Sequence, residues 1–86
     1  MFVVVAYDVH QKRVGKLLKI CRKYLVHVQK SVFEGALTEA KRNSLKNELK
    51  KVIDYEYDSI CIYSTMMPQT FYKEQIGVME DHSNII

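Results

Sequence analysis

The chain has 86 residues, of which 48% are hydrophobic and 27% are charged, a composition typical of one small folded domain and not of a disordered chain. No run approaches the ~18 consecutive apolar residues of a membrane span, and the N-terminus lacks a signal-peptide pattern, so we expect a cytoplasmic protein. The net charge of +3 is uneven: residues 9–33 hold seven Lys and Arg side chains and no acid, whereas the rest holds six basic and ten acidic side chains.

Hydrophobic periodicity predicts a strand followed by a helix in the first third of the chain. The run FVVVAY at residues 2–7 is β-branched and aromatic, which predicts a central strand buried on both faces. It ends on Asp8, the only acid among the first 33 residues. A stripe of helical spacing follows and predicts a basic helix over residues 12–23 whose lysines face water. Its apolar members are Val14, Leu17, Leu18, Cys21 and Leu25.

The middle of the chain predicts one or two further strands and a second helix. The stretch HVQKSVFEG at residues 27–35 alternates in the manner of a strand or of two short strands. Thr38 is typical of a helix N-cap, and Glu39 is favourably placed in the first turn. The apolar stripe of this helix consists of Leu45, Leu49, Val52 and Ile53.

The last third predicts a strand at residues 59–64 (SICIYS) and an edge strand within residues 71–79. The order is therefore strand, helix, one or two strands, helix, strand and an extra C-terminal segment. With two strands in the middle this predicts an α+β, ferredoxin-like βαββαβ fold with an additional C-terminal strand. We expect a single domain over residues 1–86. Its core would cover about residues 1–65, with a C-terminal strand and tail at 66–86.

Asp8 has two interpretations. A carboxylate directly after a strand often bonds turn amides or caps the next helix. Alternatively, it is a ligand of Mg²⁺ or Mn²⁺, ions that accept one or two carboxylates and keep several water ligands. One carboxylate is a poor site alone, but a two-fold dimer would supply the same residue twice.

The basic helix also has two interpretations, a solvated face or a surface that binds nucleic-acid phosphates. The absence of interleaved acids favours the second, because basic stripes gain affinity by neutralising phosphates. His27 is either an ordinary strand-edge histidine or a phosphate contact. The predicted nucleic-acid contacts are Lys12, Arg13, Lys16, Lys19, Lys23 and His27.

Three stretches, VVVAYDV, HVQKSVFEG and DSICIY, resemble the Cas2 family, the small CRISPR-associated subunit of spacer acquisition. The resemblance implies a homodimer in which the C-terminal strand, here within residues 70–79, adds to the partner's sheet. It also implies that Asp8, preceded by Tyr7, faces its symmetry mate, binds a divalent ion and is the catalytic residue. Arg13, Ser31 and Phe33 match further family positions, whereas His27 stands where many members have Arg.

The activities that the resemblance implies are metal-dependent cleavage of single-stranded RNA or of double-stranded DNA. The family also bridges two dimers of the CRISPR integrase and holds the duplex that is inserted. Three alternatives stay open at this point: a non-catalytic DNA-binding scaffold for the integrase, a VapD-type toxin ribonuclease, and a ferredoxin-like metabolic regulator.

Overall fold

Six elements follow one another in the predicted βαββαβ order in the computed structural model, which describes residues 1–66, 74 and 76. Neither helix in these ranges is long and apolar enough to cross a membrane. The elements are β1 (Phe2–Asp8), α1 (Gln11–Arg22), β2 (Val26–Gln29), β3 (Val32–Ala36), α2 (Glu39–Lys50) and β4 (Ser59–Thr65).

The four strands form one sheet in the order β2-β3-β1-β4, and each neighbouring pair is antiparallel. Val5 of β1 lies opposite Phe33 of β3 and Ile62 of β4, so β1 is central, as predicted. This is the ferredoxin-like architecture expected from the sequence. The edge strand expected within residues 71–79, and with it the strand exchange, lies outside the described residues. The division at residue 66 therefore stays a prediction.

Both helices pack on one face of the sheet, and the core lies between them and β1 and β3. The predicted apolar stripes supply the buried helix residues of this core, because side chains three and four residues apart share a helix face. Val52 and Ile53, predicted to continue the second stripe, lie beyond the end of α2 at Lys50 and are only half-buried. The buried core residues include Val3, Val5, Leu17, Cys21, Phe33, Leu45 and Leu49.

The opposite face of the sheet, which we call the open face, is not covered within the described part of the chain. The prediction that β1 is buried on both faces is therefore wrong for this single chain: Phe2, Val4 and Ala6 are only half-buried. The reason is topological, since each βαβ crossover places its helix on the same side of the sheet. Cys61 and Tyr63 of β4 are exposed on this face.

The helix starts follow from local hydrogen bonds. Helix α1 begins one residue before the predicted range because His10 caps it, with its Nδ1 accepting the N–H of Lys12 at 3.1 Å. Helix α2 begins as predicted, with Thr38 Oγ1 accepting the N–H of Lys41 at 3.2 Å. Residues 27–35 form parts of two strands joined by a tight turn.

Candidate functional site

Asp8 is the last residue of β1, and its side chain is exposed. Successive strand side chains alternate between faces. Val3 and Val5 point into the core, so Asp8 lies on the open face with Phe2 and Val4. The predicted metal ligand therefore lies at the end of a half-apolar surface.

The described part of one chain does not build a complete metal site around Asp8. Within residues 1–66, 74 and 76, no group of three or more His, Cys, Asp or Glu side chains lies together. Asp8 offers one exposed carboxylate, which is a suitable oxygen ligand for Mg²⁺. In the two-fold dimer that the sequence predicts, a second copy of the chain would supply a further carboxylate, and water would complete the shell.

Asp58, which the sequence analysis missed, is a buried carboxylate that joins the start of α1 to the loop before β4. Its Oδ2 accepts from Arg13 Nε at 2.6 Å and from the Asp54 N–H at 2.8 Å. Its Oδ1 accepts from Arg13 Nη2 at 3.0 Å and from the His10 N–H at 2.9 Å. The hydrogen-bonded Arg13 guanidinium holds the pKa of Asp58 far below its ordinary value. The loss of hydration on burial acts in the opposite direction and offsets part of this shift.

A sequence signal for Asp58 existed, since it stands directly before β4 as Asp8 stands at the end of β1. The two strands are antiparallel, and Asp8 pairs with Ser59 in the register, so both acids lie at the same end of the sheet. The pairing also changes the interpretation of Arg13. Its guanidinium, predicted to contact nucleic acid, has an intramolecular partner.

Replacing Asp58 with Asn is expected to lower the melting temperature at neutral pH. It should also remove part of the fall in melting temperature that the wild type shows as the pH becomes acidic. The folded pKa is depressed below an unfolded value of about 3.8, so the carboxylate stabilises the fold above that pH and loses this effect as the pH falls further. Thermal melts of both proteins between about pH 7 and pH 2 test this. The difference in melting temperature should shrink below about pH 4, and a difference that stays constant would contradict the assignment.

The lysines of α1 form a basic face. Lys12, Lys16 and Lys19 are exposed, and their spacing places them on one side of the helix. The ion pairs within the described part of the chain are Arg13–Asp58 and Lys23–Glu48, so these three lysines belong to neither. Lys23 keeps an exposed side chain, but its ammonium donates to Glu48, which raises the pKa of Lys23.

His27 is not a surface contact, which corrects the prediction. It is 6% exposed, and its ring stacks on Phe33 with centroids 4.3 Å apart. Its Nε2 lies 3.3 Å from the carbonyl oxygen of Lys30. In the strand register His27 faces Phe33 on the helix side, so alternation directs it inward, away from phosphates in solvent.

The remaining predicted positions, Tyr7, Ser31 and Phe33, support the sheet around Asp8. The Tyr7 hydroxyl donates to the carbonyl oxygen of Lys30 at 3.0 Å, and its N–H donates to that of Ser31. Burial of the ring raises the pKa of Tyr7. Phe33 is fully buried in the core, whereas the Ser31 side chain is exposed. Tyr7 and Phe33 thus fix the strand that carries Asp8.

Comparisons with known proteins agree on one family. The family model described as "CRISPR associated protein Cas2" matches residues 1–72. A Thermotoga maritima protein named CRISPR-associated endoribonuclease Cas2 is 43% identical over 86 residues, which cover 100% of this chain and 99% of that protein. A Pyrococcus furiosus protein of the same name is 49% identical over 79 residues, 91% of this chain and 89% of that one. The structure described as "Crystal structure of cas2" matches with a TM-score of 0.81 and 37% identity, covering 96% and 91% of the two chains.

Proposed function

Because the chain belongs to the Cas2 family of CRISPR-associated proteins, we propose that it is a homodimeric, Mg²⁺-dependent endonuclease of spacer acquisition, with Asp8 as its catalytic and metal-binding residue. Mn²⁺ is the alternative ion. The substrate is single-stranded RNA, duplex DNA or both. The observation that carries the proposal is the location of Asp8 at the end of β1 on the open face of the sheet.

The open face is the surface by which two copies would pair. Phe2 and Val4 are half-buried there, and Tyr63 is 59% exposed although its ring is largely apolar. Small domains often gain stability by association, because a short chain buries only a modest core. Two open faces packed together would cover this apolar surface on both copies.

Pairing through the open face would supply a second carboxylate near Asp8, which the described part of one chain does not provide. A two-fold axis repeats every residue of the surface, so an acid near the axis meets its own copy. Two Asp8 carboxylates on either side of the axis would form a paired oxygen site suited to one Mg²⁺ with several water ligands. Mg²⁺ bound there would supply a polarised water and stabilise negative charge on the scissile phosphate.

The chain's own residues would bring the substrate to this centre. The exposed lysines of α1 attract the phosphate backbone without reading base sequence, which suits an enzyme of low sequence specificity. The Arg13–Asp58 pair fixes the start of α1 next to the end of β1, so the basic face keeps a fixed position relative to Asp8.

The direct test is incubation of the purified protein with end-labelled RNA and duplex DNA, with Mg²⁺ and with a chelator. We expect Mg²⁺-dependent cleavage of at least one substrate and loss of cleavage on chelation. A preparation that cuts neither substrate in Mg²⁺ or Mn²⁺ would reject the nuclease and leave the second candidate below.

The second candidate is a non-catalytic DNA-binding scaffold that joins integrase dimers, and the basic face favours it. Three exposed lysines outside any ion pair of the described chain suit a duplex backbone whether or not Asp8 is catalytic. The partner in this case is the CRISPR integrase. The VapD-type alternative has no support in the matches reported above, which carry Cas2 names.

The double variant Lys16→Glu/Lys19→Glu is expected to weaken duplex binding by about 10- to 100-fold near 0.1 M salt, because two phosphate contacts become repulsive. Fluorescence anisotropy over a salt series measures both the affinity and the salt slope, which should become shallower. The matched control is Lys41→Glu/Lys46→Glu, which changes two exposed lysines of α2 by the same charge. An equal loss in the control would show that only net charge matters.

A further inference from the structure

The loop between α2 and β4 holds two tyrosines outward. It is closed by the carbonyl oxygen of Asp54, which accepts the N–H groups of Tyr57 at 3.1 Å and Asp58 at 2.8 Å. The Asp54 carboxylate also accepts the N–H of Glu56 at 2.9 Å. With the backbone fixed in this way, Tyr55 is 71% and Tyr57 is 77% exposed.

Tyr57 forms one wall of a cleft whose other wall is the start of α1. The cleft has a volume of about 290 Å³ and is lined by Tyr57, Asp54, His10, Lys12 and Arg13. The two walls are tied together beneath the cleft, because Arg13 and the His10 N–H both bond the Asp58 carboxylate. These bonds hold the backbone segments of the two walls beside each other.

The chemistry of the two walls is complementary to a nucleotide. On the α1 wall, His10 Nδ1 accepts the Lys12 N–H. The neutral ring therefore carries its proton on Nε2, which can donate a hydrogen bond to a phosphate oxygen. Lys12 adds an exposed ammonium. On the loop wall, the Tyr57 ring offers a flat apolar surface, while Asp54 repels phosphate. A backbone in the cleft would follow α1, with its base directed at Tyr57.

We propose that this cleft is a subsite for one unpaired nucleotide of a single strand, with the base stacked on Tyr57 and the phosphate held by Lys12 and His10. Stacking needs a free base face, which a single strand offers and the interior of a duplex does not. The inference rests on the proposed function and deepens it, because it assigns single-stranded nucleic acid as the ligand of this surface.

The place of the cleft agrees with this role. Asp8 pairs with Ser59 in the sheet, and Ser59 follows Asp58 and lies two residues after Tyr57. The cleft and Asp8 thus lie at the same end of the sheet.

The test measures binding without cleavage, in a chelator, by anisotropy of labelled strands of about 12 nucleotides. The probes are oligoadenylate RNA, oligoadenylate DNA, an abasic strand and a duplex. Tyr57→Ala is expected to weaken binding of the base-bearing single strands by about 5- to 30-fold and to leave the abasic strand and the duplex unchanged. Tyr57→Phe keeps the ring and should bind as wild type. A loss on either RNA or DNA supports the cleft and identifies the sugar that it accepts.

The matched control is Tyr55→Ala, the other exposed tyrosine of the loop, which does not line this cleft. Tyr57→Leu, which fills the space without a ring, serves if Tyr57→Ala does not fold. Wild-type affinity of Tyr57→Ala for single strands, or an equal loss on the abasic strand and the duplex, overturns the proposal. If the wild-type protein cleaves RNA or DNA but Tyr57→Ala binds single strands normally, the nucleotide subsite is rejected and the proposed function stands. A wild type that binds neither single strands nor duplex rejects the proposed function as well.

Discussion

Replacing Asp8 with Asn is expected to reduce Mg²⁺-dependent cleavage by about 100- to 1,000-fold, because several kcal/mol of metal-based stabilisation are removed from the reacting phosphate. The amide keeps the size of the side chain but cannot supply a negative charge to the ion. Asp8 is exposed, so stability should stay within about 0.5 kcal/mol of wild type. Cleavage of labelled RNA and duplex DNA over a Mg²⁺ titration measures the effect.

The control for this substitution is Glu39→Gln, which removes the same charge from an exposed residue in the first turn of α2. It should cut at the wild-type rate. Undiminished cleavage by carefully purified Asp8→Asn would show that the activity comes from elsewhere. If that variant still supports spacer acquisition in cells while cleavage is lost, the scaffold role is the one that matters there.

Phe33→Ala is expected to produce the largest loss of stability, about 3 to 5 kcal/mol in the free energy of unfolding. The ring is fully buried, stacks on His27 and lies opposite Val5 at the centre of the sheet. Its removal leaves a cavity that rigid neighbouring strands do not fill. This is a large part of the roughly 5 to 15 kcal/mol by which a typical domain is stable, so we expect a measurable unfolded fraction of the variant without denaturant.

Denaturant titration at a fixed protein concentration measures this loss, since association with a second copy also affects stability. Phe33→Leu should cost clearly less than Phe33→Ala, because it keeps most of the apolar volume. Ser31→Ala changes an exposed position in the turn just before β3, and its free energy of unfolding should stay within about 0.5 kcal/mol of wild type. A loss below about 1 kcal/mol for Phe33→Ala would contradict its place in the core.

Most of the fold was predictable from local patterns. Apolar runs, alternation and helical spacing identify both helices and the positions of the strands, since burying one face of each element imposes its own period on the sequence. Alternation alone left residues 27–35 as one strand or two, and the structure divides them between β2 and β3. The prediction of burial failed where it depends on which elements pack on each face of the sheet. Whether the Phe2 and Val4 face of β1 is buried depends on what packs on it, and both helices lie on the other side.

The candidate site was predictable in part for the same reason. Asp8 stands out as an isolated acid after a strand, and the lysines stand out by their spacing. The Arg13–Asp58 pair joins residues 45 positions apart, which only the register of β1 and β4 brings together. His27 was interpreted as a possible phosphate contact because the sequence does not show which face of β2 the helices cover, whereas in the structure it pairs with the buried Phe33 on the helix side.

In the proposed metal site, two Asp8 carboxylates from two copies of the chain share one divalent ion. Mn²⁺ titration, followed by electron paramagnetic resonance on protein of known oligomeric state, tests it most directly. We expect a dimer that binds one Mn²⁺ per two chains and an Asp8→Asn variant that stays dimeric without binding at this site. One ion per chain, unchanged binding by the variant, or a monomer in solution would contradict it.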